Sequence, residues 1–432
     1  MGGAGADTQI TNTESPPRNG LLRFLSVLGP GLVTGAADDD PSGIATYSQV
    51  GAQFGYQMGW TMVLAYPLMT AIQEIAARIG STTGHGIAAN LRRHYPRWLL
   101  NLVIIALLVA NTINLGADIA AMGDAASMFL PGPMQLWAVV ITVLSFSAEA
   151  WLSYARYASI LKWTTLSLFA YVATVIVAHV DWSEAAVGLV LPRLGGGAAA
   201  ATALVAVLGT TISPYLFFWQ SSQEVEELQR RHRKALFIAP RSAGAELRRI
   251  RIDTLTGMGV SNIIAIFIIF AVAATLHAHG IHNIDTSVQA AEALKPIAGR
   301  FASAVFAAGI IGTGLLALPV LAGSAGYAVC ETFRWTAGLD YKPKAARAFY
   351  GVIAGATVIG LAVAFSPINP MKALYWTAVI NGVLAAPLMA VMMLISSNPR
   401  IMGRLVIGWK LRVIGWLATA VMAAASVGLF VT

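Results

Sequence analysis

The sequence has few charged residues and almost no cysteine. Only 11% of its 432 residues are Asp, Glu, Lys or Arg, and Cys330 is the single cysteine. One cysteine excludes a disulfide framework and a cysteine-based metal site, and the missing Gly-x-x-x-x-Gly-Lys phosphate loop argues against an ATPase. Hydrophobic residues make up 57% of the chain and the mean hydropathy is +0.68. This composition excludes a water-soluble domain and predicts a polytopic membrane protein.

Eleven apolar windows follow one another along the chain, each close to the length of about 20 residues that spans a bilayer. The predicted spans are 21–50, 57–79, 99–123, 134–149, 157–178, 199–224, 254–276, 301–327, 348–365, 371–395 and 409–431. The polar residues 1–20 are expected to form a disordered cytoplasmic tail. Residues 21–432 are expected to form a single transmembrane domain.

The distribution of basic residues predicts the orientation of these spans. With the N-terminus inside the cell, cytoplasmic segments hold 24 of the 28 Lys and Arg residues, as the positive-inside rule requires. We therefore expect a multi-pass protein of the inner (plasma) membrane, with its N-terminus cytoplasmic and its C-terminus outside. The net charge of +8 follows from this orientation, and the basic run at residues 230–234 needs no nucleic acid to explain it.

Two spans are interrupted near their midpoints. Asp38-Asp39-Asp40-Pro41-Ser42-Gly43 interrupts the first, and Gly209-Thr210-Thr211-Ile212-Ser213-Pro214-Tyr215 interrupts the sixth. Proline and buried carboxylates are costly at membrane depth, whereas secondary transporters use broken helices there to bind ions. Two breaks five spans apart predict two inverted five-helix repeats, about 21–178 and 199–395, followed by an extra helix at about 409–431.

The breaks also predict a cation site. Asp40 is the expected charged ligand, because a carboxylate inside the membrane needs a cation or a proton; its alternative role is to cap the helix that starts near Pro41. The other expected ligands are oxygen atoms: the backbone carbonyls of Ala37 and Ile212 and the hydroxyls of Ser213 and Tyr215. Tyr215 could equally be a packing aromatic residue. Four neighbours are candidates to line a water-filled vestibule: Asp38, Asp39, Ser42 and Gly43. Asp38 and Asp39 could instead be held by backbone donors or bind the ion directly.

Several motifs resemble those of the Nramp divalent metal transporters, which share the LeuT architecture. Gly29-Pro30-Gly31 followed by Asp40-Pro41-Ser42-Gly43 resembles the first helix of that family, and Ser213-Pro214-Tyr215 falls where the family has Met-Pro-His. Residues 72–84 and 116–121 are similar to its second and third helices. The resemblance covers roughly residues 21–420, and it implies an all-α, LeuT-type membrane protein that imports a divalent metal cation by alternating access.

The departures from the family pattern bear on the choice of ion. Gly43 replaces Asn, Ser213 replaces Met, Tyr215 replaces His and Ala121 replaces Glu. Losing the methionine thioether disfavours soft metals. The smaller side chains are expected to leave room for an ion that keeps part of its water shell, as Mg²⁺ does. A magnesium-transporting branch of the family also departs at its binding site, so Mg²⁺ and Mn²⁺ are the favoured ions.

Asp118 and Arg347 are the candidates for a proton route, as an acceptor and its cationic partner; a structural ion pair or an unrelated loop charge is the alternative. Because the family's His and Glu are absent, both proton-coupled and uncoupled transport fit the pattern. The ion is the transported substrate and no cofactor is expected. We expect no nucleic-acid partner and no enzymatic activity, and the oligomeric state is left open.

Two rival functions fit parts of the sequence. An intramembrane aspartyl protease could use Asp40 and Asp118, but Gly116-Ala117-Asp118 lacks the Gly-x-Gly-Asp pattern of that chemistry. The second rival is a diverged relative of the family that carries another substrate or acts as a sensor. Metal binding that depends on Asp40 separates this rival from a divalent cation carrier.

Overall fold

The computed structural model describes residues 29–151, 167–193 and 197–431, and within these ranges the chain is helical with no β-strand. The predicted tail at 1–20, the start of the first span and residues 157–166 of the fifth span lie outside them. The α-helices are α1 (Pro30–Asp38), α2 (Pro41–Phe54), α3 (Trp60–Thr83), α4 (Ile87–His94), α5 (Arg97–Ser127), α6 (Met134–Trp151), α7 (Phe169–Val177), α8 (Trp182–Val190), α9 (Ala198–Thr211), α10 (Pro214–Arg230), α11 (Ala243–Thr275), α12 (Ser287–Glu292), α13 (Lys295–Ala298), α14 (Ala302–Phe333), α15 (Arg347–Ala364), α16 (Pro370–Ser396), α17 (Pro399–Met402) and α18 (Trp409–Val431).

Both predicted breaks are present, and a proline begins the second half of each broken helix. α1 ends at Asp38 and α2 starts at Pro41, while α9 ends at Thr211 and α10 starts at Pro214. Proline suits the first position of a helix because it has no N–H to satisfy and its φ is already helical. The four half-helices therefore place their ends, with free backbone groups, in the interior of the protein.

Eight of the predicted spans, the third, fourth and sixth to eleventh, coincide near their centres with helices of the described residues but differ from them at their ends. Eight helices in the described part of the chain are long and apolar enough to cross a membrane. The largest difference is α11, which begins at Ala243 instead of near residue 254. Its first three turns carry charged side chains that pair with one another (Glu246, Arg249 and Asp253), and a hydropathy window does not detect such a segment.

Glycine lets two pairs of helices touch through their backbones. A Cβ at Gly35 of α1 would lie 2.3 Å from the carbonyl oxygen of Gly257 in α11, and a Cβ at Gly209 of α9 would lie 2.4 Å from the Gly382 nitrogen in α16. Small residues permit this close approach between membrane helices. The first half of each broken helix is thereby held against a long, continuous helix.

Candidate cation site

Tyr215 connects the two helix breaks. Its hydroxyl lies 3.1 Å from Oδ2 of Asp40 and 3.2 Å from the carbonyl oxygen of Ala37, so one O–H donates to both oxygens. The other oxygen of Asp40 accepts a hydrogen bond of 2.7 Å from the Gly43 amide and caps α2. The capping role and the site role of Asp40 are therefore compatible, because each uses a different oxygen. All four residues are buried.

Asn114 is a further candidate site residue, absent from the set that the sequence predicts. Its side-chain amide donates to Oδ2 of Asp40 at 3.3 Å, and its carbonyl oxygen accepts from Asn381 of α16 at 3.4 Å. Asn114 lies four residues before Asp118, on the same face of α5. This four-residue spacing is the signal in the sequence that could have identified Asn114. Asn111, three residues earlier on α5, instead donates to Ser324 of α14 at 2.6 Å.

Asp38 and Asp39 share one hydroxyl donor on α11. Oγ of Ser261 lies 2.7 Å from Oδ2 of Asp38 and 3.0 Å from Oδ1 of Asp39. Both aspartates are buried, and Oδ1 of Asp38 has no hydrogen-bond partner among the described residues. They therefore line the closed interior beside Asp40, and they have fewer donors than two carboxylates accept.

Asp118 adds a fourth carboxylate to this interior. It is 0% exposed, neither of its oxygens has a hydrogen-bond partner in the described ranges, and it lies near enough to Asp40 for their charges to repel. Arg347, its expected partner, is exposed at the start of α15. The structure therefore does not form the expected ion pair, because the arginine lies at the surface and the aspartate deep inside.

The four carboxylates form no ion pair with a basic side chain of the described residues. Within residues 29–151, 167–193 and 197–431, no salt bridge reaches Asp38, Asp39, Asp40 or Asp118. In the same ranges, no group of three or more His, Cys, Asp or Glu side chains is arranged as a ready-made metal site. A cation bound here would take many of its ligands from hydroxyl, amide and carbonyl oxygens.

The remaining predicted ligands lie on the second break. Ile212 and Ser213 are 1% and 2% exposed, and the Ser213 hydroxyl donates to the carbonyl oxygens of Gly209 and Thr210 at 2.7 and 2.8 Å. Its proton is thus directed at the end of α9, which leaves the oxygen lone pairs available to a cation. Ser42 is likewise buried, and its hydroxyl donates to the Leu374 carbonyl of α16 at 3.1 Å.

The room expected at Gly43 is not present. A Cβ at this position would lie 3.1 Å from the carbonyl oxygen of Asp38 and 3.4 Å from Oγ1 of Thr210. Polar atoms of the two breaks occupy the space that a side chain at position 43 would need. At this point α9 packs closely against α2. The smaller residue therefore allows the two breaks to approach each other and does not create space for water.

The start of α1 is closed by charged side chains of α11. The carboxylate of Asp253 accepts hydrogen bonds from the amides of Gly29, Gly31 and Leu32 at 2.9, 2.9 and 3.1 Å. Arg249 pairs with Glu224 of α10 at 2.5 Å. We call this set of contacts the inner closure; it satisfies the free N–H groups at the start of α1 and ties α1, α10 and α11 together.

The opposite end of the site is closed by the segment before α12. Oε1 of Gln49, on α2, accepts a hydrogen bond of 3.0 Å from the Ile284 amide, and Asp285 pairs with Lys372 of α16 at 3.1 Å. We call these contacts the outer closure. A cavity of about 410 Å³ is lined by these residues together with Tyr375 and Trp376. Asp40 itself is 2% exposed, so the site is shielded at both ends.

Broken helices that meet around buried carboxylates define the class: the chain is an all-α integral membrane protein with the LeuT-type fold. Its structure resembles that of MhsT, which was solved in complex with L-phenylalanine, with a TM-score of 0.62, 11% identity and coverage of 93% of this chain and 97% of that one. It also resembles the Eremococcus coleocola manganese transporter, with a TM-score of 0.74, 16% identity and coverage of 97% and 90%.

The chain belongs to the Nramp family. The family model described as natural resistance-associated macrophage protein-like matches residues 31–432. A relative from Klebsiella pneumoniae (strain 342), named divalent metal cation transporter MntH, is 28% identical over 408 residues, which are 93% of this chain and 92% of the relative. The family membership, the all-α class and the LeuT-type fold expected from the sequence are confirmed.

Proposed function

We propose that this protein imports a divalent metal cation across the inner (plasma) membrane, with Asp40 as the charged ligand. The observation that carries the proposal is a group of four buried carboxylates, three at the first helix break and Asp118 on α5, without a salt bridge in the described part of the chain. Uncompensated charges are costly inside a membrane protein, and a divalent cation offsets two of them. The names of the bacterial relatives support a metal as the substrate.

The proposed ions are Mg²⁺ and Mn²⁺. The side chains and backbone groups that contact Asp38, Asp39 and Asp40 are hydroxyls and amides, and oxygen ligands suit hard cations. The proposed ligand set is Asp40 with the carbonyls of Ala37 and Ile212 and the hydroxyls of Ser213 and Tyr215. Asp38, Asp39, Ser42 and Gly43 form its immediate surroundings.

Alternating access is the proposed mechanism. The inner and outer closures are separate sets of contacts, one on α1 and one on α2, so each half of the first broken helix can be released without the other. With the N-terminus cytoplasmic, the inner closure faces the cytoplasm. An inside-negative potential then favours entry of a divalent cation by about 4.6 kcal/mol per 100 mV, twice the value for a single charge.

The carboxylates also suggest where a proton would be carried. One divalent cation neutralises two of the four aspartates, and Asp118 has no hydrogen-bond donor within the described ranges. Asp118 is therefore the proposed proton acceptor, without Arg347. If Asp118 carries a proton during the cycle, replacing it by Asn removes proton movement and leaves a neutral side chain of similar size.

The test is uptake by the purified protein in liposomes loaded with an Mg²⁺- or Mn²⁺-sensitive dye, with internal pH recorded. Metal entry into wild-type liposomes that is lost in Asp40→Ala and retained in Glu292→Gln, a carboxylate in the outer α12, supports the proposal. If neither ion enters with folded wild-type protein, the chain is instead a diverged relative with another substrate or a sensing role. A pH change in wild type that disappears in Asp118→Asn supports proton coupling.

A further inference from the structure

A second cavity lies away from the cation site, between α3, α11 and α18. Its volume is about 510 Å³. The lining residues on α3 run from Tyr66 to Arg78, which is about 18 Å along the helix axis at about 1.5 Å per residue. The cavity is therefore a long groove that follows the helices through about half the thickness of a bilayer.

One end of the groove is basic. Arg78, Arg251 and Lys410 line it together with one acidic residue, Glu74, which leaves a net charge of +2 from three positive and one negative side chain. Arg78 pairs with Glu74 at 2.5 Å. Arg251 and Lys410 are exposed and have no ion-pair partner among the described residues. These two cations are therefore available to an anion.

The rest of the groove is apolar. Pro67 on α3, Leu255 on α11 and Ile414 on α18 line it, and Pro67 is exposed. Trp409 stands at the basic end, 71% exposed, with Nζ of Lys410 5.8 Å from its ring centroid. Tryptophan at the level of the lipid headgroups is typical of membrane proteins. The polarity of the groove thus changes along its length as the polarity of a phospholipid does.

We infer that this groove binds an anionic phospholipid of the cytoplasmic leaflet. Its phosphate would contact Arg251 and Lys410, and an acyl chain would lie along Pro67, Leu255 and Ile414. Basic pockets between membrane helices on the cytoplasmic side suit such headgroups, and guanidinium groups bind phosphate through paired hydrogen bonds. The leaflet follows from the orientation proposed above, whereas the choice of an anionic lipid follows from the charge of the groove.

The position of the groove gives the lipid a link to the inner closure. Arg251 lies two residues from Arg249 and from Asp253 on α11, and Asp253 accepts the amide hydrogen bonds from the start of α1. A lipid held by Arg251 is thus attached within one helical turn of the contacts that tie α1 to α11.

The test is native mass spectrometry of the purified full chain, titrated with phosphatidylglycerol or with phosphatidylcholine of the same acyl chains. We expect tighter binding of phosphatidylglycerol, and a weakening of about 30-fold in Arg251→Gln/Lys410→Gln, which is about 1 kcal/mol for each basic side chain near an anionic surface. The matched control is Lys342→Gln/Lys344→Gln, which removes the same charge from exposed positions outside the groove, and it is expected to bind as wild type does.

Three results would overturn the inference. Equal affinity for the two lipids would exclude recognition of the anionic headgroup. An equal loss of phosphatidylglycerol binding in the control variant would show that the effect comes from the overall charge of the protein. Binding of glycerol 3-phosphate as tight as that of phosphatidylglycerol would show a soluble phosphate site and not a lipid site. The melting temperature of each variant, measured in the same detergent, verifies that the substituted residues leave the protein folded. Metal transport does not enter this test.

Discussion

The Tyr215 hydroxyl lies 3.1 Å from a carboxylate oxygen of Asp40, although 175 positions separate the two residues in the sequence. This hydrogen bond connects the start of α10 to the residue that caps α2. It therefore holds together the two interrupted helices on which the proposed transport site depends, and it makes Tyr215 the first residue to test.

Tyr215→Phe removes this hydroxyl and keeps the ring. Because a hydrogen bond to a charged group contributes about 1.5–3 kcal/mol, and because the hydroxyl is a proposed ligand, we expect the KM for metal uptake to rise about 10-fold or more. Uptake by proteoliposomes across a range of metal concentrations measures this. Tyr350→Phe is the control, since its hydroxyl donates at 3.1 Å to the Tyr341 carbonyl outside the site; an equal rise in both variants would contradict the assignment.

Asn114→Ala and Asn111→Ala separate a site residue from a structural one. Asn114 donates to Asp40, whereas Asn111 donates to the backbone of Leu321 and to Ser324. We expect Asn114→Ala to raise the KM for the metal, and Asn111→Ala to lower the melting temperature with an unchanged KM, because it leaves buried groups unpaired at a cost of about 1–3 kcal/mol. The reverse pattern would contradict our account of α5.

Gly35→Ala tests the contact between α1 and α11. The added methyl group would meet the Gly257 carbonyl oxygen at 2.3 Å, and overpacking of this kind costs about 1–3 kcal/mol. We expect a lower melting temperature. Gly355→Ala in α15 is the matched control, because a Cβ there meets nothing within 4 Å and alanine favours a helix over glycine by about 0.5–1 kcal/mol. A stable Gly35→Ala variant would show that the two helices separate easily.

Asp253→Asn tests the inner closure. Neutralising this carboxylate weakens its hydrogen bonds to three amides at the start of α1 and its attraction to Arg249. We expect α1 to separate from α11 more often. Thr34 is buried in α1, so the cysteine of a Thr34→Cys variant should then react faster with an impermeant maleimide added from the cytoplasmic side. Both proteins also carry Cys330→Ala, which removes the single native cysteine.

Asp181→Asn in the same background is the control, since Asp181 caps α8 and lies outside the inner closure. An unchanged labelling rate in Asp253→Asn would show that other contacts hold α1 closed. An equal increase in both variants would show a general loosening of the protein.

The positions of the two helix breaks were predictable from the local residues. The residues that contact these breaks were not, because they lie far away in the sequence. Pro41 and Pro214 cannot continue a preceding helix, so the positions of both interruptions followed from the residues themselves. Asp253 lies 222 residues from Gly31, and Asn114 lies 74 residues from Asp40. Such contacts depend on the packing of whole helices, which no local pattern encodes.

For a related reason, Asp118 and Arg347, the candidates for a proton route, do not pair in the structure. The expectation joined an acid and a base that the family resemblance suggested, without a contact to support it. In the structure the arginine begins α15 at the surface, and the aspartate lies buried on α5. The first turns of α11 were missed because their charged residues satisfy one another and so tolerate burial without being apolar.

The most direct measurement of the central claim is X-ray diffraction from crystals of the protein soaked in Mn²⁺, with the anomalous signal of the metal recorded. Our account predicts one anomalous peak between the two breaks, within about 2.0–2.6 Å of an Asp40 carboxylate oxygen and of the Ala37 carbonyl oxygen, and no peak there in Asp40→Ala crystals. A peak elsewhere in a protein that transports Mn²⁺, or an unchanged peak in the variant, would contradict it.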